Sequence, residues 1–210
     1  RKGCRMNWKN MIVGIVAAGA MTAGAGDEVK VDAWALNKNW KADKGAVVGQ
    51  STGNTVVKLK DKVVYNKVEF EASLSPVKAK GTSWKTSGIQ IVSGGNFWQL
   101  ALIESPDEGK NAKIHFIELK EMYKGKWGGE AKLKCLVMKT NKWEYGKTYK
   151  LKIKMDSKRI DGYVTDEKGK QIAHIAYQLK PVSVTSGTPA LRVACMETKY
   201  SNINIQGDKK

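Results

Sequence analysis

Apolar and polar side chains alternate along much of this chain. Val68, Phe70, Ala72 and Leu74 alternate with Glu69, Glu71 and Ser73. Tyr149, Leu151, Ile153 and Met155 alternate with Lys150, Lys152 and Lys154. Ile160, Gly162 and Val164 repeat the pattern, as do Ser201, Ile203 and Ile205 against Asn202 and Asn204. A period of two puts successive side chains on opposite faces of a strand, so each run predicts one wet and one buried face. Turn signals separate the runs. Asp156-Ser157-Lys158 and Asp166-Glu167-Lys168-Gly169-Lys170 read as hairpin connections, Ser93-Gly94-Gly95-Asn96 as a tight turn, and Ser105 to Asn111 as a longer polar loop. The prolines, at 76, 106, 181 and 189, fall between runs or at their margins. Ile117–Tyr123 (IELKEMY) fits either a short helical turn or a strand end. About a dozen short strands joined by hairpins predict two packed antiparallel sheets.

The start of the chain differs. Arg1, Lys2, Arg5 and Lys9 precede an apolar stretch, Met11 to Met21. Ala23-Gly24-Ala25 then offers small residues before the polar Gly26-Asp27-Glu28. A basic n-region, a short h-region and an A-x-A-like site predict a secretory signal over residues 1–25, with Met6 a candidate start, and a single sandwich domain over 26–210; the alternative is a retained N-terminal anchor, for which the apolar stretch is short and rich in Gly and Ala. Loss of residues 1–25 removes four basic and no acidic residues, taking the formal charge from +17 to +13. Such a charge favours anionic partners. The lysines are nevertheless spread along strand-like runs, as expected of a solvated sheet face. Basic residues interleaved with aromatics also suit single-stranded nucleic acid, but export and the even spread of charge point away from it. Past position 30, no apolar run reaches the roughly 18 residues that cross a bilayer. Export permits a disulfide between Cys135 and Cys195, and two buried thiols fit the same apolar runs.

Several segments, in order, resemble the concanavalin A-like lectin/glucanase superfamily. Asn39-Trp40 through Gly49 resembles an opening W-x-x-x-x-G-x-L hairpin, and Lys67-Val68-Glu69-Phe70-Glu71-Ala72 its F-x-L-E-x-E strand. Thr86-Ser87-Gly88-Ile89 resembles N-S-G-I, and Trp143 to Ile153 a W-x-x-l-x-i strand. Gly187–Val193 with Tyr200–Ile205 resembles the closing G-x-x-g-L-r … f-x-N-i-x-i. The likeness spans roughly residues 32–206. It implies an all-β jelly-roll sandwich close to laminin-G-like and 3-keto-disaccharide hydrolase-like domains. The latter usually begin with L-F-N-G-x-D-L-x-G-W, where this chain has Ala33-Trp34-Ala35-Leu36-Asn37.

The resemblance implies a carbohydrate ligand on a concave sheet face. A glycosidase of this superfamily would carry an E-x-D-x-x-E strand with acid and nucleophile on one face, and none is present. Glu69 and Glu71 fit an ordinary outer face. No G-x-S-x-G, H-E-x-x-H or phosphate loop occurs. Trp40, Trp98 and Trp143 fit core positions, whereas Trp84 and Trp127 lie in polar, Gly-containing loops suited to stacking on sugar. Gln90 and Gln99 flank one Gly-Gly turn, and Glu104, His115, Glu118 and Arg192 complete a hydrogen-bonding set. His115 and Glu118, three apart, point to opposite faces of a regular strand unless a bulge intervenes. Asp107, Glu108 and Asn111 offer oxygen ligands for calcium, with no recognised spacing. The competing expectations are a glycoside or disaccharide hydrolase with a convergent acid/base pair, and an adhesive envelope protein with an exposed apolar patch.

Overall fold

A computed structural model describes residues 27–128 and 143–210. The predicted signal segment and Cys135 lie outside these residues. The strands in chain order are β1 (Asp27–Glu28), β2 (Trp40–Asp43), β3 (Ala46–Lys58), β4 (Tyr65–Ala79), β5 (Lys85–Ser93), β6 (Asn96–Glu104), β7 (His115–Tyr123), β8 (Lys126–Gly128), β9 (Tyr149–Met155), β10 (Arg159–Thr165), β11 (Gln171–Gln178) and β12 (Thr188–Lys209). The sole helical element among the described residues is a 3₁₀ turn at Val31–Ala33. Ile117–Tyr123 is strand throughout.

The turns form for local reasons. Asp156 accepts hydrogen bonds from the amides of Lys158 and Arg159, closing β9 onto β10. Asp166 does the same for Lys168 and Lys170 before β11. Ser93 pairs with Asn96 across a two-residue turn, and Gly94 takes a φ of 59° there. Pro76 and Pro189 lie inside strands: Pro76 is opposite Thr198 at a register shift, and Pro189 is the second residue of β12.

β12 ties the two layers together. Its first part, Thr188–Ala194, runs between β5 and β3, and from Met196 it leaves β5 and pairs with β4. The change falls at Cys195, a non-glycine residue with a φ of 47° and a register shift beside it. One layer is therefore β3–β12–β5–β6–β7–β8, and the other is β11–β10–β9–β4–β12. Between them lies the core. Ile89, Ile91, Leu100, Leu102, Ile117 and Leu119 come from one layer; Phe70, Leu74, Leu151, Ile153, Ile160 and Val164 come from the other. Each such side chain contributes about 1.5–3 kcal/mol on burial. Trp98 on β6 stacks on Tyr177 of β11 at 5.6 Å, which places those strands face to face. Trp34, Trp40, Trp98 and Trp143 are all buried. This is an all-β antiparallel sandwich of the jelly-roll kind.

Candidate functional site

Alternation along the first layer sets two opposite faces. Ile89, Ile91, Leu100, Leu102, Ile117 and Leu119 look into the core. Gly88, Gln90, Phe97, Gln99, Ala101, Glu118, Lys120 and Arg192 therefore share the outer face. Register brings them level. Arg192 is opposite Gly88, Gly88 is opposite Ala101, and Ala101 is opposite Glu118. One step along the strands, Gln90 is opposite Gln99, and Gln99 is opposite Lys120.

A connected polar network results. The Gln90 amide donates to Gln99 Oε1 at 3.2 Å, and the Gln99 amide donates to Glu118 Oε1 at 3.2 Å. Arg192 Nη1 donates to the same Gln99 oxygen at 2.5 Å, and Arg192 Nε donates to Asn54 Oδ1 of β3 at 2.9 Å. Lys120 pairs with the other Glu118 oxygen at 3.0 Å. The guanidinium lies 5.7 Å from the Phe97 ring centre. Gln90 and Gln99 are each only 1% exposed. Buried amides are tolerated because they are hydrogen-bonded; leaving one unsatisfied costs about 1–3 kcal/mol. Burial pushes the Arg192 pKa below its ordinary value, and the Glu118 carboxylate opposes that shift.

Gly88 makes this reach possible. Arg192 starts on β12 and must cross β5 to meet Gln99 on β6. A Cβ at Gly88 would lie 2.6 Å from the Leu100 carbonyl oxygen and 2.7 Å from Ala101 Cβ. The floor beneath the guanidinium is thus bare backbone and one methyl group.

Glu104 and His115 lie on the other face; for His115 the spacing of three from Glu118 predicts this on an unbulged strand, and Glu104 is opposite His115 in register. They join the core-facing end of the layer, where Lys85 is fully buried. Lys85 Nζ meets Glu104 Oε1 at 2.9 Å and also bonds Asp107. His115 Nε2 lies 2.7 Å from Glu104 Oε2, and His115 Nδ1 lies 2.6 Å from the Trp143 carbonyl oxygen. The ring also stacks on Trp143 at 4.0 Å and 7°. Burial opposes the Lys85 charge, but its hydrogen bonds to Asp107 and Glu104 prevail and raise its pKa. Burial likewise works against ionised Glu104, and Lys85 and His115 hold its pKa below the ordinary value. Burial, with the Glu104 carboxylate nearby, pushes the Tyr145 phenol up.

Of the residues singled out from sequence, Gln90, Gln99, Glu118 and Arg192 are therefore in direct contact. Trp84 is exposed and meets Phe116 edge-on at 6.1 Å, and Phe116 stands on the same outer face as Glu118. Trp127 is on β8 opposite Met122, and its side chain lies outside what the structure describes. Glu104 and His115 belong to the buried ionic cluster instead. Asn54, Phe97 and Lys120 were not foreseen. Lys120 was readable as the i+2 neighbour of Glu118, whereas Asn54 arrives only through β3 pairing. Asp107, considered with Glu108 and Asn111 as an oxygen ligand, bonds Lys85. Among the described residues, no group of three or more His, Cys, Asp or Glu is arranged to hold a metal ion.

This strand order and two-layer core define the concanavalin A-like class of sandwich. No protein-family model matches the chain, and no curated protein matches it. Solved structures do. The carbohydrate-binding module CBM66 from Bacillus subtilis superposes with a TM-score of 0.58 at 12% identity, covering 83% of this chain and 96% of that one. The CBM2 module of the evolved Dit protein of Lactobacillus casei BL23 phage J-1 gives 0.55 at 7% identity, covering 81% and 79%. Lectin I-B4 of Griffonia simplicifolia gives 0.50 at 7% identity, covering 84% and 93%. At these identities the likeness is one of fold.

Proposed function

We propose that the chain binds carbohydrate on the outer face of the β3–β12–β5–β6–β7 layer. The observation that carries this reading is the linked set of Gln90, Gln99, Glu118 and Arg192. Amide, carboxylate and guanidinium groups stand side by side on rigid strands, with Phe97 beside them. Gln90, Gln99 and Glu118 are buried and act as supports that fix Arg192 and Lys120, and these half-buried donors with the Phe97 ring are the groups that sugar hydroxyls and C–H patches would meet. Aromatic rings serve the C–H patches of a sugar, and Trp84 with Phe116 extends the face in that direction. The names of two structural neighbours, a carbohydrate-binding module and a lectin, support the same class of ligand.

Along β5, β6 and β7, Glu118 is the one carboxylate on this face, because Glu104 and Glu121 turn inward, to Lys85 and to the Val184 amide. A pair of carboxylates flanking a glycosidic bond therefore has no second member there, and binding without hydrolysis is the preferred reading. Residues 1–25 direct export in this proposal. Mass spectrometry of the secreted protein tests that part, with a mature N-terminus at Gly26 expected.

The direct test is affinity electrophoresis and glycan-array binding of the chain, its Arg192→Ala variant and its Gln99→Ala variant. Binding that both variants weaken by about tenfold or more, roughly 1.4 kcal/mol, is expected. Binding that neither variant alters would remove this face from consideration.

A further inference from the structure

Next to the polar network, the same face deepens into a cleft of about 670 Å³, a volume typical of small-ligand sites. Val56, Val64 and Val92 contribute apolar lining, and Lys58, Lys60 and Lys62 stand around it. Lys58 is opposite Ala190, and Ala190 is opposite Gln90, so cleft and network share one row of the layer. The lysine-bearing rim is anchored. The Lys60 amide donates to the Ala33 carbonyl and the Ala35 amide to the Lys58 carbonyl, each at 2.9 Å. Leu59 between them bridges to Trp34, which is fully buried. Lys62 holds a left-handed φ of 51°, a conformation that a lysine rarely adopts and that here turns the rim.

Among the described residues, the charges of this rim are not matched by carboxylates. On the opposite layer, Lys150, Lys152 and Lys154 are matched by Glu69 and Glu71 across the strand pair. Among the described residues, no such ion pair engages Lys58, Lys60 or Lys62, and Asp61 is the acidic residue between them in sequence. Three lysines lining a cleft with Val56, Val64 and Val92 suit a ring with a C–H face and an anionic substituent.

We infer that the Lys58–Lys60–Lys62 cleft receives the carboxylate or sulfate of an anionic glycan whose neutral neighbour lies against Arg192, which the buried Gln90–Gln99 pair holds in place. This rests on the carbohydrate-binding reading and deepens it.

The test uses the whole chain on an array carrying uronate-containing, sulfated and neutral oligosaccharides, with carboxyl-reduced and desulfated forms of each anionic one. The wild-type chain should prefer an anionic form over its neutralised counterpart by roughly tenfold, as three partly solvated ion pairs allow. The uronate and sulfate arms say which anion is read. The preference should shrink between about 0.01 and 1 M ionic strength, as the screening length falls from ~30 to ~3 Å. The variant Lys58→Gln/Lys60→Gln/Lys62→Gln should bind both forms equally while keeping the wild-type melting temperature. If single Lys→Gln variants are needed to keep the fold, each should lose part of the preference. An unchanged preference in these variants would overturn the cleft. Equal wild-type binding of charged and neutral forms, still abolished by Arg192→Ala, would overturn the cleft and leave the sheet-face reading standing. Absence of binding to every glycan would overturn both.

Discussion

Arg192 on β12 and Gln99 on β6 meet at 2.5 Å across the whole width of β5. Strand β5 separates them and contributes no side chain at the crossing point, because Gly88 stands there. A half-buried arginine thereby reaches across the sheet, its guanidinium bonding both Gln99 and Asn54. Fixed geometry of this kind lowers the conformational entropy that a ligand must otherwise offset.

Arginine geometry makes the first prediction specific. Arg192→Lys keeps the charge but cannot bond Gln99 and Asn54 with one planar group. Glycan binding should fall nearly as far as in Arg192→Ala, with little change in unfolding midpoint. Retention of full binding by the lysine variant would show that charge alone is used.

Gly88→Ala adds a methyl group 2.6 Å from a backbone oxygen and 2.7 Å from Ala101 Cβ. Backbone cannot yield as a side-chain tip does, so a loss of about 1–3 kcal/mol is expected in urea denaturation. Ala101→Gly in the same chain removes one of the two collisions and should restore part of that loss. Binding should stay impaired, since the new methyl occupies the crossing of Arg192.

The buried ionic cluster predicts how stability follows pH. Glu104 is held below its ordinary pKa of 4.5 in the folded chain. Its contribution is therefore fully present above that value and is lost as pH falls through the lowered folded value. Lys85 is raised above its ordinary 10.5, so its contribution is complete below 10.5 and is lost as pH rises through the raised value. Thermal melts should decline at both extremes. In Glu104→Gln the acid limb should be shallower than in wild type. Lys85→Met should destabilise by about 3 kcal/mol, because Glu104 and Asp107 lose the ammonium they share and buried Glu104 keeps His115 and Tyr145 as its neighbours. Lys85→Met/Glu104→Leu should recover much of that, and a double variant no better than the single would argue against the pairing.

Cys195 turns β12 from one layer to the other in a left-handed conformation, and its thiol donates to the Thr52 carbonyl at 3.0 Å. A β-branched side chain is poorly accommodated at positive φ. Cys195→Val should thus be less stable than Cys195→Ala by about 1–2 kcal/mol, while Cys195→Gly should approach the alanine variant. Chemical denaturation distinguishes the three.

Period-two alternation was enough to predict strands and their buried faces, and turn residues the hairpins closed by Asp156 and Asp166, because both depend on neighbours within a few residues. It also placed Gln90, Gln99, Glu118 and Arg192 among polar strand residues, and it separated His115 from Glu118 by parity alone. It did not reveal that Thr188–Lys209 is one strand serving two layers, since the turn at Cys195 carries no glycine or proline to announce it. Nor did it distinguish the paired lysines of β9 from those around the cleft. The letters are alike, and only strand partners settle whether a carboxylate lies opposite.

Taken alone, the amino-acid order determined that many short segments would each bury one face, because burial follows from local periodicity. Which polar residues face one another was decided by the register of strands far apart in the chain. Asn54 reaches Arg192 across 138 positions, and Gln99 reaches it across 93. Contacts of that span arise from the packing of whole sheets, which no local pattern encodes.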